Sequence, residues 1–135
     1  MTSTIEPLHV IDTHALIWYL TGDKKLSQQA RAVFSAAERG QTRLLIPAMV
    51  LAELHFANTK WKWFDDFHTV FRLLNTKPYF RFIPFLPVDV LDFALDAQVP
   101  EMHDRIIVGL ARRLNAPLIT HDAAIKTANI AKVVW

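Results

Sequence analysis

The strongest constraint on this sequence is its rhythm. Short apolar runs, long enough for a strand and too short for a helix, alternate with stretches whose apolar residues recur every three or four positions. Leu8-His9-Val10-Ile11 is the first run and stops on Asp12. Leu44-Leu45-Ile46 is the second and runs into Pro47. Residues 82–86 give the third, and Leu118-Ile119-Thr120 the fourth, which ends just ahead of Asp122. Runs this apolar read as strands covered on both faces, the habit of parallel sheets. Residues 132–135 add a candidate terminal strand.

Between the runs lie the helix patterns. One covers residues 15–20 and breaks at Gly22. The next is capped by Ser27, carries Ala30, Phe34 and Ala37 on one face, and runs to about Arg39 with Gly40 as its stop. A third opens at Pro47, carries Val50, Leu51, Leu54 and Phe56, and ends near Asn58. Residues 63–74 repeat Phe67, Val70, Phe71 and Leu74 at helical spacing, closed by Asn75 and Pro78. Residues 89–97 form another helix pattern, and residues 103–114 a longer one. The alternation predicts an α/β fold, a three-layer α/β/α sandwich with a central parallel sheet.

At 135 residues and 52% hydrophobic, the chain carries enough apolar material for a core and reads as a single domain over residues 1–135. It has no cysteine. That excludes disulfide frameworks, thiolate zinc sites and cysteine nucleophiles, and suits a reducing compartment. Residues 1–9 lack the order of an export signal, and no apolar run approaches the roughly 18 residues of a membrane helix. The expectation is a soluble cytoplasmic protein without a membrane partner. Its 15 lysines and arginines against 13 acids leave a net charge of +2, too little to mark a nucleic-acid binder. Four acids drawn into one site and matched by metal would leave a more basic surface, which favours a polyanionic substrate.

Those four acids are Asp12, Glu53, Asp104 and Asp122. In an open parallel sheet, functional groups collect beyond the carboxyl ends of the strands, near the point where strand order reverses. Asp12 ends the first strand, Asp122 follows the fourth, Glu53 lies early in the helix after the second, and Asp104 sits in the first turn of the helix leading to the fourth. Carboxylates held close together raise one another's pKa, and a divalent cation removes the penalty. Oxygen-only ligands favour Mg²⁺ or Mn²⁺, which suits attack on a phosphodiester. Taken singly, a strand-end aspartate also serves as a turn or cap residue, and Asp104 as a helix cap. Glu53 interrupts the apolar stretch Met49-Val50-Leu51-Ala52-Glu53-Leu54, where an acid must be exposed or paired.

With these residues in place, the sequence resembles the PIN-domain family, and within it the VapC-like toxins of type II toxin–antitoxin systems. The matching stretches are Val10-Ile11-Asp12-Thr13-His14-Ala15-Leu16-Ile17-Trp18, Ile46-Pro47-Ala48-Met49-Val50-Leu51-Ala52-Glu53-Leu54, His103-Asp104-Arg105-Ile106-Ile107-Val108-Gly109-Leu110-Ala111 and Leu118-Ile119-Thr120-His121-Asp122. They stand in family order across nearly the whole chain. The resemblance implies a PIN-like fold, an endoribonuclease dependent on Mg²⁺ or Mn²⁺, a cognate antitoxin and a homodimer. It implies that Asp12, Glu53, Asp104 and Asp122 are the metal ligands and catalytic acids, with Thr13 and Thr120 orienting water or carboxylates. His121 has no role assigned by it. The alternative is a PIN-like module that binds RNA or protein without cutting. Haloacid-dehalogenase-like phosphatases need a second aspartate two after the first, which Asp12-Thr13-His14 lacks. Response-regulator receivers need an acceptor aspartate where Leu44-Leu45-Ile46 runs into Pro47.

Lys60-Trp61-Lys62-Trp63 interleaves basic and aromatic residues. Three readings stay open: tryptophans covering core edges, rings stacking on bases beside phosphate-binding lysines, or part of a dimer contact or antitoxin groove anchored by Phe64, Phe67 and Phe71. Arg105, Arg112 and Arg113 support RNA binding, or Arg112 and Arg113 complement a helix C-terminus. His14 and His103 contact phosphate or serve structural and surface roles. No histidine pair has zinc-ligand spacing.

Overall fold

Val10 and Ile11 have no exposed surface, and Leu44, Leu45 and Ile46 are at most 2% exposed. Neighbouring strand residues point to opposite sides, so both faces of these two strands are covered, and helices must lie above and below. The computed structural model describes residues 7–135 and has that architecture.

Strand β1 (Leu8–Ile11) leads into α1 (Thr13–Thr21) and α2 (Gln28–Glu38). Strand β2 (Arg43–Pro47) leads into α3 (Ala48–Trp61), α4 (Phe67–Thr76) and β3 (Phe80–Ile83). Two 3₁₀ turns, Pro87–Val90 and Phe93–Asp96, precede α5 (Met102–Leu114). Strand β4 (Leu118–Ile119), α6 (Ala123–Ala128) and β5 (Val133–Val134) complete the described chain. The five strands are parallel, in the order β3-β2-β1-β4-β5, and six α-helices flank them. The three-layer expectation holds.

Local chemistry sets most boundaries. Gly22 closes α1 at φ 67°, a left-handed conformation that glycine adopts without strain. Ser27 accepts a hydrogen bond from the Ala30 N–H at 3.1 Å and caps α2, whose Ala30, Phe34 and Ala37 are buried as the periodicity predicts.

Several boundaries differ from the sequence expectation. The third strand is Phe80–Ile83 rather than residues 82–86: it matches β2 residue for residue from Leu44 to Pro47, and Pro84 has no N–H to extend the ladder. Helix α3 runs on to Trp61, because Asn58 does not stop it. Its side chain instead donates to the Phe64 carbonyl and accepts from the Phe64 N–H, both at 2.9 Å, clamping the turn beyond the helix. Helix α4 starts at Phe67, where Asp66 accepts from the His68 N–H at 3.0 Å and from the Thr69 hydroxyl at 3.1 Å. Residues 89–97 are two 3₁₀ turns. Asp89, Asp92 and Asp96 recur there at helical spacing because all three face Arg112 or Arg113 on α5, at 2.8 to 3.5 Å. Helix α6 has no counterpart in the apolar periodicity; Asp122 caps it through the Ile125 N–H at 3.0 Å.

Chain order brings two strand ends together. From β1 the chain builds outward through β2 and β3, then crosses back to β4 on the other side, so strand order reverses between β1 and β4. Ile11 pairs with Ile119, and the Asp12 N–H donates to the Ile119 carbonyl at 3.0 Å. Asp12 and Thr120 therefore leave the sheet side by side.

Candidate active site

The carboxylate of Asp12 is held at both oxygens. Oδ1 accepts from the Thr13 N–H at 2.7 Å, and Oδ2 accepts from the Thr120 hydroxyl at 2.6 Å. Thr120 Oγ1 in turn accepts from the Asp122 N–H at 3.1 Å, which ties the β4 exit to the β1 exit. Asp12, Thr13 and Thr120 are all buried. The Thr13 hydroxyl donates to Glu53 Oε1 at 2.7 Å, so α1 fixes an acid that α3 supplies. His103 Nδ1 lies 3.2 Å from Glu101 Oε1 and 3.9 Å from Glu53 Oε2.

All four sequence-predicted acids line one cleft of about 810 Å³, together with Thr13, His14, His103 and His121. Thr120 is not in the lining and reaches the cleft through its bond to Asp12. Glu101 is a fifth acid in the lining that the sequence reading missed. It is the N-cap of α5 and accepts from the Asp104 N–H at 2.7 Å. Glu101-Met102-His103-Asp104 has the three-residue spacing of such a cap, a signal hidden because the helix was expected to begin at His103.

Charge in the cleft is one-sided. Among the residues that line it there is no lysine or arginine, whereas Asp89, Asp92 and Asp96 across the molecule are each matched by arginine. Burial pushes the Asp104 carboxyl up to about 7, reinforced by the charges of Asp12, Asp122, Glu101 and Glu53. Burial also raises Asp12, against the hydrogen bonds from Thr120 and Thr13. Glu53 is raised by burial too, against the Thr13 bond, with Asp12 and Glu101 adding to the rise. For Glu101, burial is outweighed by the N–H groups of Asp104 and His103, which hold it below the usual range.

A pH dependence follows. A carboxyl raised from 3.8 to about 7 keeps a proton in the folded chain that the unfolded chain has released. The unfolded state then binds fewer protons, so stability falls as pH rises between those values. Thermal melts in EDTA are expected to drop between pH 5 and pH 8, and Asp104→Asn is expected to flatten that slope. An equal slope in both proteins would refute the assignment.

Among the described residues, no three histidine or acidic side chains converge into a ready-made ion cage. The fit to a divalent cation lies in donor chemistry and charge: carboxylates from four separate elements, repelling one another, with no lysine or arginine in the lining. Asp12, Glu53, Asp104 and Asp122 supply the oxygen donors that could hold one.

The other sequence candidates divide. Arg112 and Arg113 stand in the last turn of α5, as expected for a helix C-terminus, and their guanidinium groups pair with Asp89, Asp92 and Asp96. Arg105 donates to the carbonyls of Val99 and Ala97 at 2.8 and 3.4 Å, holding the loop before α5. His14 lies on the cleft, its ring 5.6 Å from that of Trp18. Trp61 and Trp63 are exposed on the same cleft and outside the core, which removes the core-edge reading.

The family model of the PIN domain matches residues 9–131. Solved structures share the fold, three of them as follows. VapBC2 from Rickettsia felis, bound to a DNA fragment from its promoter, aligns with a TM-score of 0.71 at 15% identity, covering 93% of this chain and 96% of that one. DNA-bound VapBC from Salmonella typhimurium gives 0.67 at 13% identity over 94% and 96%. PAE2754 from Pyrobaculum aerophilum gives 0.62 at 18% identity over 95% and 83%. No curated protein sequence matches.

Proposed function

The chain belongs to the PIN-domain family, and from that premise we propose that it is an endoribonuclease dependent on Mg²⁺ or Mn²⁺, acting as the toxin of a toxin–antitoxin pair in the cytoplasm. The observation that carries this reading is the cleft itself: five acids, no lysine or arginine in the lining, and one carboxyl raised to about 7. A divalent cation would offset the burial and mutual repulsion that raise these carboxyls.

Asp12, Glu53, Asp104 and Asp122 would hold the ion. When bound, it would acidify water and withdraw charge from the phosphodiester. The threonines do the positioning. Thr120 fixes Asp12 Oδ2 and the Asp122 backbone with one hydroxyl, and Thr13 fixes Glu53, so three acids share one hydrogen-bonded frame. Thr120→Val keeps the shape and removes the links to Asp12 and Asp122 from that frame. It is expected to weaken metal affinity or cleavage about 10- to 100-fold, the usual cost of losing a ligand's supporting hydrogen bond. A metal titration monitored by melting checks this, and an unchanged affinity would remove Thr120 from the site.

The partner assignments rest on surface and resemblance. Two of the similar structures are VapBC assemblies on DNA, which supports a cognate antitoxin. Phe56 is 80% exposed beside a groove shared with Leu51, Phe67 and Phe71, and Leu91 and Leu95 are 84% and 65% exposed on the 3₁₀ segment. Apolar surface of this kind suits an antitoxin and a second copy of the chain. No helix of the described residues is long and apolar enough to cross a membrane.

A second reading, a PIN-like module that binds RNA or protein without cutting, draws on the lack of a preformed cage among the described residues. Incubation of labelled single-stranded RNA with the purified chain separates the two. Cleavage in Mg²⁺ or Mn²⁺ that EDTA stops is the expected result; binding without cleavage in either ion supports the second reading.

A further inference from the structure

Two of the chain's four tryptophans belong to the core and two do not. Trp18 and Trp135 pack against the core, with ring centroids 5.6 Å apart and His121 at 5.3 and 5.5 Å. Trp61 and Trp63 are 60% and 38% exposed. Their rings lie 6.2 Å apart and 21° from parallel, and the Lys60 ammonium stands 5.1 Å from the Trp61 ring. An exposed indole pair forgoes the burial that usually justifies tryptophan, and it is held in place here. Lys62 adopts φ 53° between the rings, and the Asn58 clamp fixes the backbone just beyond Trp63. Both rings line the cleft that contains Asp12, Glu53 and Asp104.

We infer that Trp61 and Trp63 form a stacking platform for an unpaired base of single-stranded RNA lying beside the acidic centre. The inference deepens the ribonuclease reading above and rests on it. Near-parallel indoles offer flat π faces, on which any base stacks, and Lys60 supplies positive charge next to them where a strand carries phosphate. Lys62 faces a separate groove with Asp65 and Asp66, so Lys60 is the cation that sits with the rings. A duplex keeps its bases stacked inside the helix, so a platform of this kind selects single strands and presents the adjoining phosphodiester to the acids.

The test uses the full chain carrying Asp104→Asn, so that strands stay intact in Mg²⁺, and a fluorescein-labelled oligoadenosine as probe. Adding Trp61→Ala and Trp63→Ala is expected to weaken binding about 5- to 150-fold, the range for one stacked base. The paired Trp61→Phe and Trp63→Phe variant retains most of the affinity, which a merely structural role would not require. The probe annealed to oligouridine binds weakly to every variant. Equal single-strand affinity with and without the indoles overturns the inference, as does a duplex bound as tightly as the single strand. Cleavage of a mixed RNA pool by the wild-type chain is scored separately. Cleavage with indole-independent binding removes the platform alone, and indole-dependent binding without cleavage removes the nuclease alone.

Discussion

Asp12→Asn is expected to lower RNA cleavage by about 100-fold or more. The substitution keeps the shape of the side chain and the oxygen that accepts from the Thr13 N–H at 2.7 Å, so α1 still has its cap. What changes is the charge and the acceptor at Oδ2, where an amide NH2 cannot accept from the Thr120 hydroxyl. Asp12 is buried at the reversal of strand order, with each oxygen fixed by one donor. Supporting groups around a metal ligand typically account for about 10- to 100-fold, and loss of the ligand's own charge exceeds that. Asp12 sits above its usual pKa chiefly because burial penalises its charge, with Asp122 adding to the rise; a neutral amide escapes that cost, so the melting temperature in EDTA should not fall. Initial rates on a labelled RNA, with melts of both proteins, check the claim. A rate within tenfold of wild type would detach Asp12 from the chemistry.

Asp96→Ala is expected to reduce stability by about 3 kcal/mol. Asp96 has no exposed surface, and its two oxygens accept from Arg112 Nε and Nη2 at 2.8 and 3.0 Å. Breaking one side of a buried pair typically costs about 3–5 kcal/mol. The lower end applies because Asp92 still holds Arg112 at 2.8 Å. The pair also explains Gly109 on α5: a Cβ there would stand 2.9 Å from Asp96 Oδ2 and 3.3 Å from Arg113 Nη1. Urea unfolding measures the loss, and a change below about 1 kcal/mol would mean that the 3₁₀ segment is held by its apolar contacts instead.

The central strands were legible in the sequence because burial on both faces leaves unbroken apolar runs. Leu8–Ile11 is found where the composition puts it, and Leu44 to Ile46 fall inside β2. The third strand was misplaced because Phe85 and Leu86 continue its apolar run past Pro84, and only the register with β2 shows where pairing stops. Residues 89–97 misled for a different reason. The segment has a helix-like pattern, yet its backbone closes as two separate 3₁₀ turns, with Asp89, Asp92 and Asp96 tied to Arg112 and Arg113.

At the site, the four acids could be picked out because sheet topology alone sends strand ends to one edge. Glu101 was hidden by a helix start one residue off, and the Thr13 and Thr120 partners lie 40 and 108 residues away along the chain, a distance no local pattern spans. The exposure of Trp61 and Trp63 was undetermined for a similar reason. Lys-Trp-Lys-Trp fits a core edge as well as a surface, and the extension of α3 to Trp61 decides between them.

The most direct measurement is the melting temperature with and without Mg²⁺ or Mn²⁺, in the wild-type chain and in Asp12→Asn combined with Asp104→Asn. If these acids are one metal site, an ion at about a hundredfold over its Kd stabilises the wild type by about 2.7 kcal/mol, a rise of roughly 5–10 °C, and the double variant shows none of it. A rise of equal size in the double variant, or no rise in the wild type, would contradict the account.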